Sequence, residues 1–177
     1  MTPRELEEYR ALRATIRERG TARVCLMAAG FVVWASLVLA TATLMTLPVA
    51  TLLPLIVLAA IYEGVLALHL GVERVGRYVQ VFFEADDEGH RRWEHTAMAF
   101  GKEAAKGTPD PLFSTFFVLA AIWNFVPAVL AGALPIEWAV VGTAHLLFIA
   151  RVMSGRRLAA GQRVADLARF QQLKNGA

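Results

Sequence analysis

The chain has 177 residues, of which 56% are hydrophobic and 19% are charged, with a mean hydropathy of +0.48 and a formal net charge of +3. Typical soluble domains are about 45–50% apolar and about 25% charged, and the excess here lies in four long runs, which favours membrane spans over a buried core. The single cysteine, Cys25, excludes an internal disulfide. The basic residues flank the apolar runs, as topology signals do, so the positive charge does not indicate nucleic-acid binding.

The first predicted element is a cytosolic amphipathic helix over residues 1–20. Thr2 and Glu5 match a capping box, and Pro3 suits the first helical position. Gly20 is predicted to end the helix. The apolar stripe is expected to lie on the bilayer, on a partner helix or on the chain's own C-terminal helix. Its members recur at helical spacing: Leu6, Tyr9, Leu12 and Ile16.

Residues 22–72 are predicted to form a transmembrane hairpin. The first run, residues 24–47, carries no charge and is long enough to span a bilayer. A tight turn at Pro48 leads to the second run, whose helical spacing continues to Glu84. We therefore expect the second span to continue as one helix into the cytosol.

The connector, residues 73–111, is predicted to be a cytosolic helical hairpin with its turn at the acidic residues 86–89. Both arms carry an apolar stripe that requires cover by lipid head groups or protein. The predicted interaction surface therefore comprises Tyr78, Phe82, Trp93 and Phe100.

Residues 112–153 are predicted to form a second transmembrane hairpin. The third span, residues 112–134, contains Pro127, which is expected to kink it. The fourth span starts at Ile136 after a second tight turn, and its helix is expected to continue to Met153. A separate cytosolic helix is predicted over residues 154–177.

Lysine and arginine set the predicted orientation. They are abundant in the N-terminal segment, the connector and the C-terminal segment, and the two tight turns contain none. By the positive-inside rule, both termini and the connector are predicted to lie in the cytoplasm. The membrane is predicted to be the inner membrane of the cell. The predicted fold is therefore all-α and integral to the membrane, with four transmembrane helices as two hairpins and cytosolic amphipathic helices.

Four polar residues fall within the predicted spans, and their depths suggest two pairs. Glu63 and Arg151 each lie roughly 22 Å from the outer turns, and Asn124 and His145 roughly 13–15 Å from them. An ion pair and a buried hydrogen bond would fix the packing of the hairpins. The alternative is a proton or ion path through Glu63 and His145.

Two histidine–glutamate pairs are candidates for a metal site. His69 and Glu73 are four residues apart, as are His90 and Glu94, and His95 follows. The predicted connector turn would bring His90 beside Glu84 instead of His69, so we expect neither metal nor cofactor within one chain. A site between two protomers, or one that uses His95, is the alternative.

The sequence contains no motif for nucleotide binding, serine hydrolysis or zinc proteolysis. The leading hypothesis is a non-catalytic inner-membrane protein whose cytosolic helices dock a membrane-protein partner or a second copy. Membrane lipid is its other expected partner, and no nucleic acid is expected. The first alternative is a small oligomeric channel or transporter using Glu63 and His145. The second is a membrane metalloenzyme using the histidine–glutamate pairs.

Overall fold

The computed structural model describes residues 1–44, 47–84 and 110–176. These residues are almost entirely helical, and no strand occurs among them. Helix α1 spans Pro3–Leu44, a 3-10 turn spans Pro48–Thr51, and α2 spans Leu52–Phe82. After the connector, α3 spans Ser114–Leu130 and α4 spans Pro135–Asn175. The all-α prediction is confirmed at this level.

Local sequence accounts for two of the helix starts. At α1, the Thr2 amide donates to the Glu5 carboxylate at 2.7 Å, and the Glu5 amide donates to the Thr2 hydroxyl at 3.3 Å. This is the predicted capping box, which satisfies amides that the first turn leaves unpaired. At α4, the Leu134 amide donates to the Glu137 carboxylate at 2.8 Å. Pro135 lies at the first position, where its missing amide costs nothing.

Two predicted helix boundaries are wrong. Helix α1 is 42 residues long and continues through Gly20 without a break. Helix α4 is 41 residues long and continues in the same way through Gly155, where the sequence predicts a separate helix. A glycine inside a helix costs only about 1 kcal/mol relative to alanine, which the surrounding helical sequence offsets. The prediction that α2 continues past its apolar part is confirmed, since it ends at Phe82.

Among the residues that the structure describes, three helices are long and apolar enough to cross a membrane: α1, the helix running from Pro48 to Phe82, and α4. Helix α3 is apolar but has only 17 residues, with Pro127 inside it. At 1.5 Å per residue it is about 25 Å long, which lies at the short end of the range for spanning helices.

The chain divides into two compact units. The first, here the polar unit, comprises Met1–Ala22, Leu68–Pro111 and Leu158–Ala177. The second, here the apolar unit, comprises Arg23–Ala67 and Leu112–Arg157.

Aromatic rings form much of the core of the apolar unit. Phe117 is fully buried and lies edge-on to Phe31 at 5.3 Å and to Tyr62 at 5.1 Å between ring centroids. Tyr62, also fully buried, reaches Phe148 at 6.2 Å. Edge-to-face geometry is the favoured arrangement for such rings. These contacts join all four helices within the apolar unit.

Candidate functional site

Asn124 and His145 form a buried polar network in the apolar unit. Asn124 is fully buried and His145 is 4% exposed. The Asn124 side-chain nitrogen lies 3.0 Å from His145 Nε2 and 2.9 Å from the carbonyl oxygen of Thr51. His145 Nδ1 lies 2.8 Å from the carbonyl oxygen of Val141. The network therefore joins α3, α4 and the 3-10 turn that precedes α2, and it contains the asparagine–histidine contact expected from depth.

The two carbonyl acceptors determine where the protons lie. Since the Val141 carbonyl can only accept, His145 Nδ1 must carry a proton and donate it. The Thr51 carbonyl can also only accept, so the side-chain nitrogen of Asn124 donates one of its two protons to it. The same nitrogen donates its second proton to His145 Nε2, which is then the unprotonated ring nitrogen. Both ring nitrogens are therefore engaged in helix packing. Asn124 Oδ1 is buried and accepts no hydrogen bond within the part of the chain that the structure describes.

The aromatic ring of Phe125 packs against one side of the His145 imidazole. Phe125, the neighbour of Asn124 on α3, lies 5.1 Å from the His145 ring and 5.3 Å from Trp138 between centroids. Because Trp138 and His145 are on α4, Phe125 packs between two residues of the same helix. This packing keeps the ring in place for its bonds to Asn124 and Val141.

Glu63 and Arg151 form an ion pair, as their depths predicted. Arg151 Nη2 lies 2.8 Å from Glu63 Oε2. The pair is not enclosed, because the Glu63 side chain is 50% exposed and that of Arg151 is 37% exposed. It joins α2 to α4 on the outer surface of the apolar unit.

Tyr62 makes a further contact between α2 and α4 that the spacing of residues did not reveal. Its hydroxyl donates to the carbonyl oxygen of Val152 at 3.0 Å. The nearby Gly155 lies so close that a Cβ there would overlap the Tyr62 hydroxyl. Gly155 therefore allows close helix contact, which explains a glycine within a continuous helix.

In the polar unit, Glu73 binds two arginines. Its Oε2 accepts from Arg163 Nε at 2.7 Å and from Arg77 Nη2 at 3.1 Å. Arg77 is 6% exposed and also donates to Gln80 at 2.9 Å. Charge-assisted bonds at this burial are stronger than exposed surface pairs. Glu73 thus attaches the C-terminal part of α4 to α2.

A second acidic residue, Glu84, attaches α1 to the end of α2. It is 3% exposed and accepts from Arg13 Nη2 at 3.2 Å and from the Tyr9 hydroxyl at 3.3 Å. The Tyr9 ring lies 5.9 Å from that of Phe83. Tyr9 of the predicted stripe therefore packs on Phe83 and Glu84, directly after α2. This neighbour differs from the three that the sequence predicts, which are lipid, a partner helix and the C-terminal helix.

Tyr78 lies in the polar unit, beyond the predicted second span. Its hydroxyl donates to the Glu8 carboxylate at 3.0 Å. Burial, followed by this hydrogen bond and the negative charge of Glu8, raises the pKa of Tyr78 above its ordinary value of 10.0. The neutral phenol is therefore the form that links α1 to α2.

The predicted interaction surface is partly covered by α4. Phe170 lies 5.6 Å from Tyr78 and 6.3 Å from Phe82 between ring centroids. Phe82 nevertheless stays 38% exposed. The other two residues of the predicted surface, Trp93 and Phe100, lie outside the described residues.

The residues considered for a metal site are only partly described. His69 is 4% exposed, and the Glu73 carboxylate is occupied by two arginines. His90, Glu94 and His95 lie outside the described residues. Over residues 1–44, 47–84 and 110–176, no group of three or more histidine, cysteine, aspartate or glutamate residues is arranged to hold a metal ion.

The comparisons with known proteins identify no relative. No protein-family model matches this chain, and the comparisons with curated proteins and with solved structures give no match.

Proposed function

We propose that the chain is a non-catalytic protein of the inner membrane that spans it four times and docks other proteins through its cytosolic helices. Three helices that are long and apolar enough to span support the membrane location. The concentration of lysine and arginine outside the two tight turns supports cytoplasmic termini and a cytoplasmic connector. Under this proposal α3 is a short fourth span.

The observation that carries the docking proposal is the set of ion pairs and hydrogen bonds that join the helices of the polar unit. Glu84, two residues after the end of α2, binds Arg13 of α1. Glu73 binds α2 to α4, and Arg74 donates to Asp166 at 3.2 Å. Lys174 donates to the Val81 carbonyl at 2.8 Å, where it caps the last turn of α2. Such bonds hold three helices in a fixed arrangement, which lowers the ordering cost that a binding surface must otherwise meet.

The proposed docking surface is the exposed edge of Phe82 together with Trp93 and Phe100 of the connector. Aromatic residues with exposed apolar area are enriched where protein partners bind. The partner is another membrane protein or a second copy of this chain. Its contacts would bury the part of Phe82 that Phe170 leaves open.

The test is co-purification from native membranes of the wild type, a Phe82→Ser/Trp93→Ser variant and a Val164→Ser control. Val164 is 70% exposed on α4 in the same unit, so its replacement removes exposed apolar surface at a position that the proposed docking surface does not include. We expect the double variant alone to lose co-purifying proteins or to decrease in assembly mass. Unchanged partners and mass in the double variant would contradict the proposal.

A second candidate function, an oligomeric channel or transporter, is favoured by the half-exposed pair of Glu63 and Arg151. Charged groups inside spans commonly mark ion paths. Ion flux into liposomes should then fall in Glu63→Gln and His145→Ala variants. Flux that is absent, or equal in the wild type and both variants, would remove this candidate.

A further inference from the structure

The outer face of α2 in the apolar unit carries a regular exposed stripe. Its members alternate at spacings of three and four residues, which is the heptad pattern of helices that pack along their length. They are Leu53, Ile56, Ala60, Glu63 and Ala67, all of them exposed. From Leu53 to Ala67 the stripe is about 21 Å long at 1.5 Å per residue.

Small residues flank the charge on this stripe. Ala60 and Ala67 lie one turn before and one turn after Glu63. Small side chains at such positions allow two membrane helices to approach closely, which strengthens dispersion contacts and polar bonds between them. The stripe therefore combines a close-packing surface with one ionised group.

The ion pair on this surface is incompletely satisfied. Glu63 Oε2 accepts from Arg151, but Oε1 accepts no hydrogen bond within the described residues. The Glu63 side chain is 50% exposed and the Arg151 side chain is 37% exposed. Lipid acyl chains offer no hydrogen-bond donors or acceptors, so a bilayer leaves these groups unsolvated.

We infer that this α2 stripe binds the same stripe of a second copy, so that the two Glu63–Arg151 pairs form one four-charge cluster. The surface is self-complementary, because each copy presents one acid and one base and the cluster has no net charge. Around a two-fold axis, the free oxygen of each Glu63 faces the partner's arginine. The inference rests on the membrane location in the proposed function, but it does not require the cytosolic docking surface.

Disulfide cross-linking in native membranes tests the inference directly. Cys25 is the only cysteine, so Cys25→Ser gives a cysteine-free background. Two variants in this background place a cysteine on the stripe, Ala60→Cys and Ala67→Cys. The control is Leu119→Cys on α3, where the native leucine is 58% exposed. After oxidation, we expect at least fivefold more covalent dimer from positions 60 and 67 than from position 119.

Charge reversal provides the second arm. In the Ala60→Cys chain, Glu63→Arg should reduce dimer formation by at least fivefold, because it places four positive charges together. Adding Arg151→Glu restores opposite charges and should restore the dimer. Equal cross-linking at all three positions, no cross-linking in membrane-bound protein, or no effect of charge reversal would overturn the inference. Recovery of the chain in the soluble fraction would instead overturn the membrane location, and this inference with it.

Discussion

Replacing Asn124 by alanine tests whether the buried network holds the apolar helices together. The change removes the bonds to the Thr51 carbonyl and to His145 Nε2. Polar contacts between membrane helices contribute about 0.6 kcal/mol on average and about 1.7 kcal/mol at most. Loss of two such bonds should therefore lower the free energy of unfolding by about 1–3 kcal/mol.

The assay is unfolding of purified protein in mixed micelles by titration with a denaturing detergent, followed by circular dichroism. A cycle with Asn124→Ala, His145→Ala and the double variant isolates the bond between them, and we expect a coupling of about 0.6–1.7 kcal/mol. Ile122→Ala, at a position 54% exposed on the same helix, is the control. A coupling that cannot be distinguished from zero would refute a direct bond between the two side chains.

Gly155→Ala should destabilise the chain by about 1–3 kcal/mol through overpacking against the Tyr62 hydroxyl, and detergent unfolding should show a smaller cost in a Tyr62→Phe background. An equal cost in both backgrounds would exclude that contact as the cause. Glu73→Gln should lower the free energy of unfolding by about 1–3 kcal/mol, because two arginines lose their carboxylate; a change below about 0.5 kcal/mol would contradict this. Since the folded pKa of Tyr78 is raised, its stabilising contribution is complete below pH 10.0 and is lost as pH rises through the folded pKa. Glu8→Gln should lower that pKa toward 10.0 in tyrosine-labelled NMR titrations, and an unchanged value would rule out an effect of the Glu8 charge.

Two features of the sequence predict contacts that the structure contains: local helix-start patterns, and the depth of polar residues along the predicted spans. The capping box at Thr2 and Glu5 could be predicted because both bonds are made within one helical turn. The contacts of Glu63 with Arg151 could be predicted because polar groups at equal depth in neighbouring spans need one another. The same reasoning indicated Asn124 and His145.

Contacts between distant elements were not predictable from these patterns. Nothing near Glu73 in the sequence indicates that Arg163 approaches it, and the Phe170 contact depends on how α4 packs on α2. The predicted helix end at Gly20 and the predicted separate helix from residue 154 are wrong, because a glycine inside a helix costs only about 1 kcal/mol relative to alanine. At Gly155 the decisive factor was the opposing Tyr62 side chain, which local sequence does not show.

Cysteine labelling tests the central claim, that the chain crosses the inner membrane with its termini in the cytoplasm. In a Cys25→Ser background, Leu134→Cys places a thiol in the second turn, and Ala165→Cys places one on the exposed polar part of α4. A membrane-impermeant maleimide should label position 134 in intact spheroplasts and position 165 only in inverted vesicles. Labelling of position 165 in intact spheroplasts, or protection of position 134 there, would contradict the account.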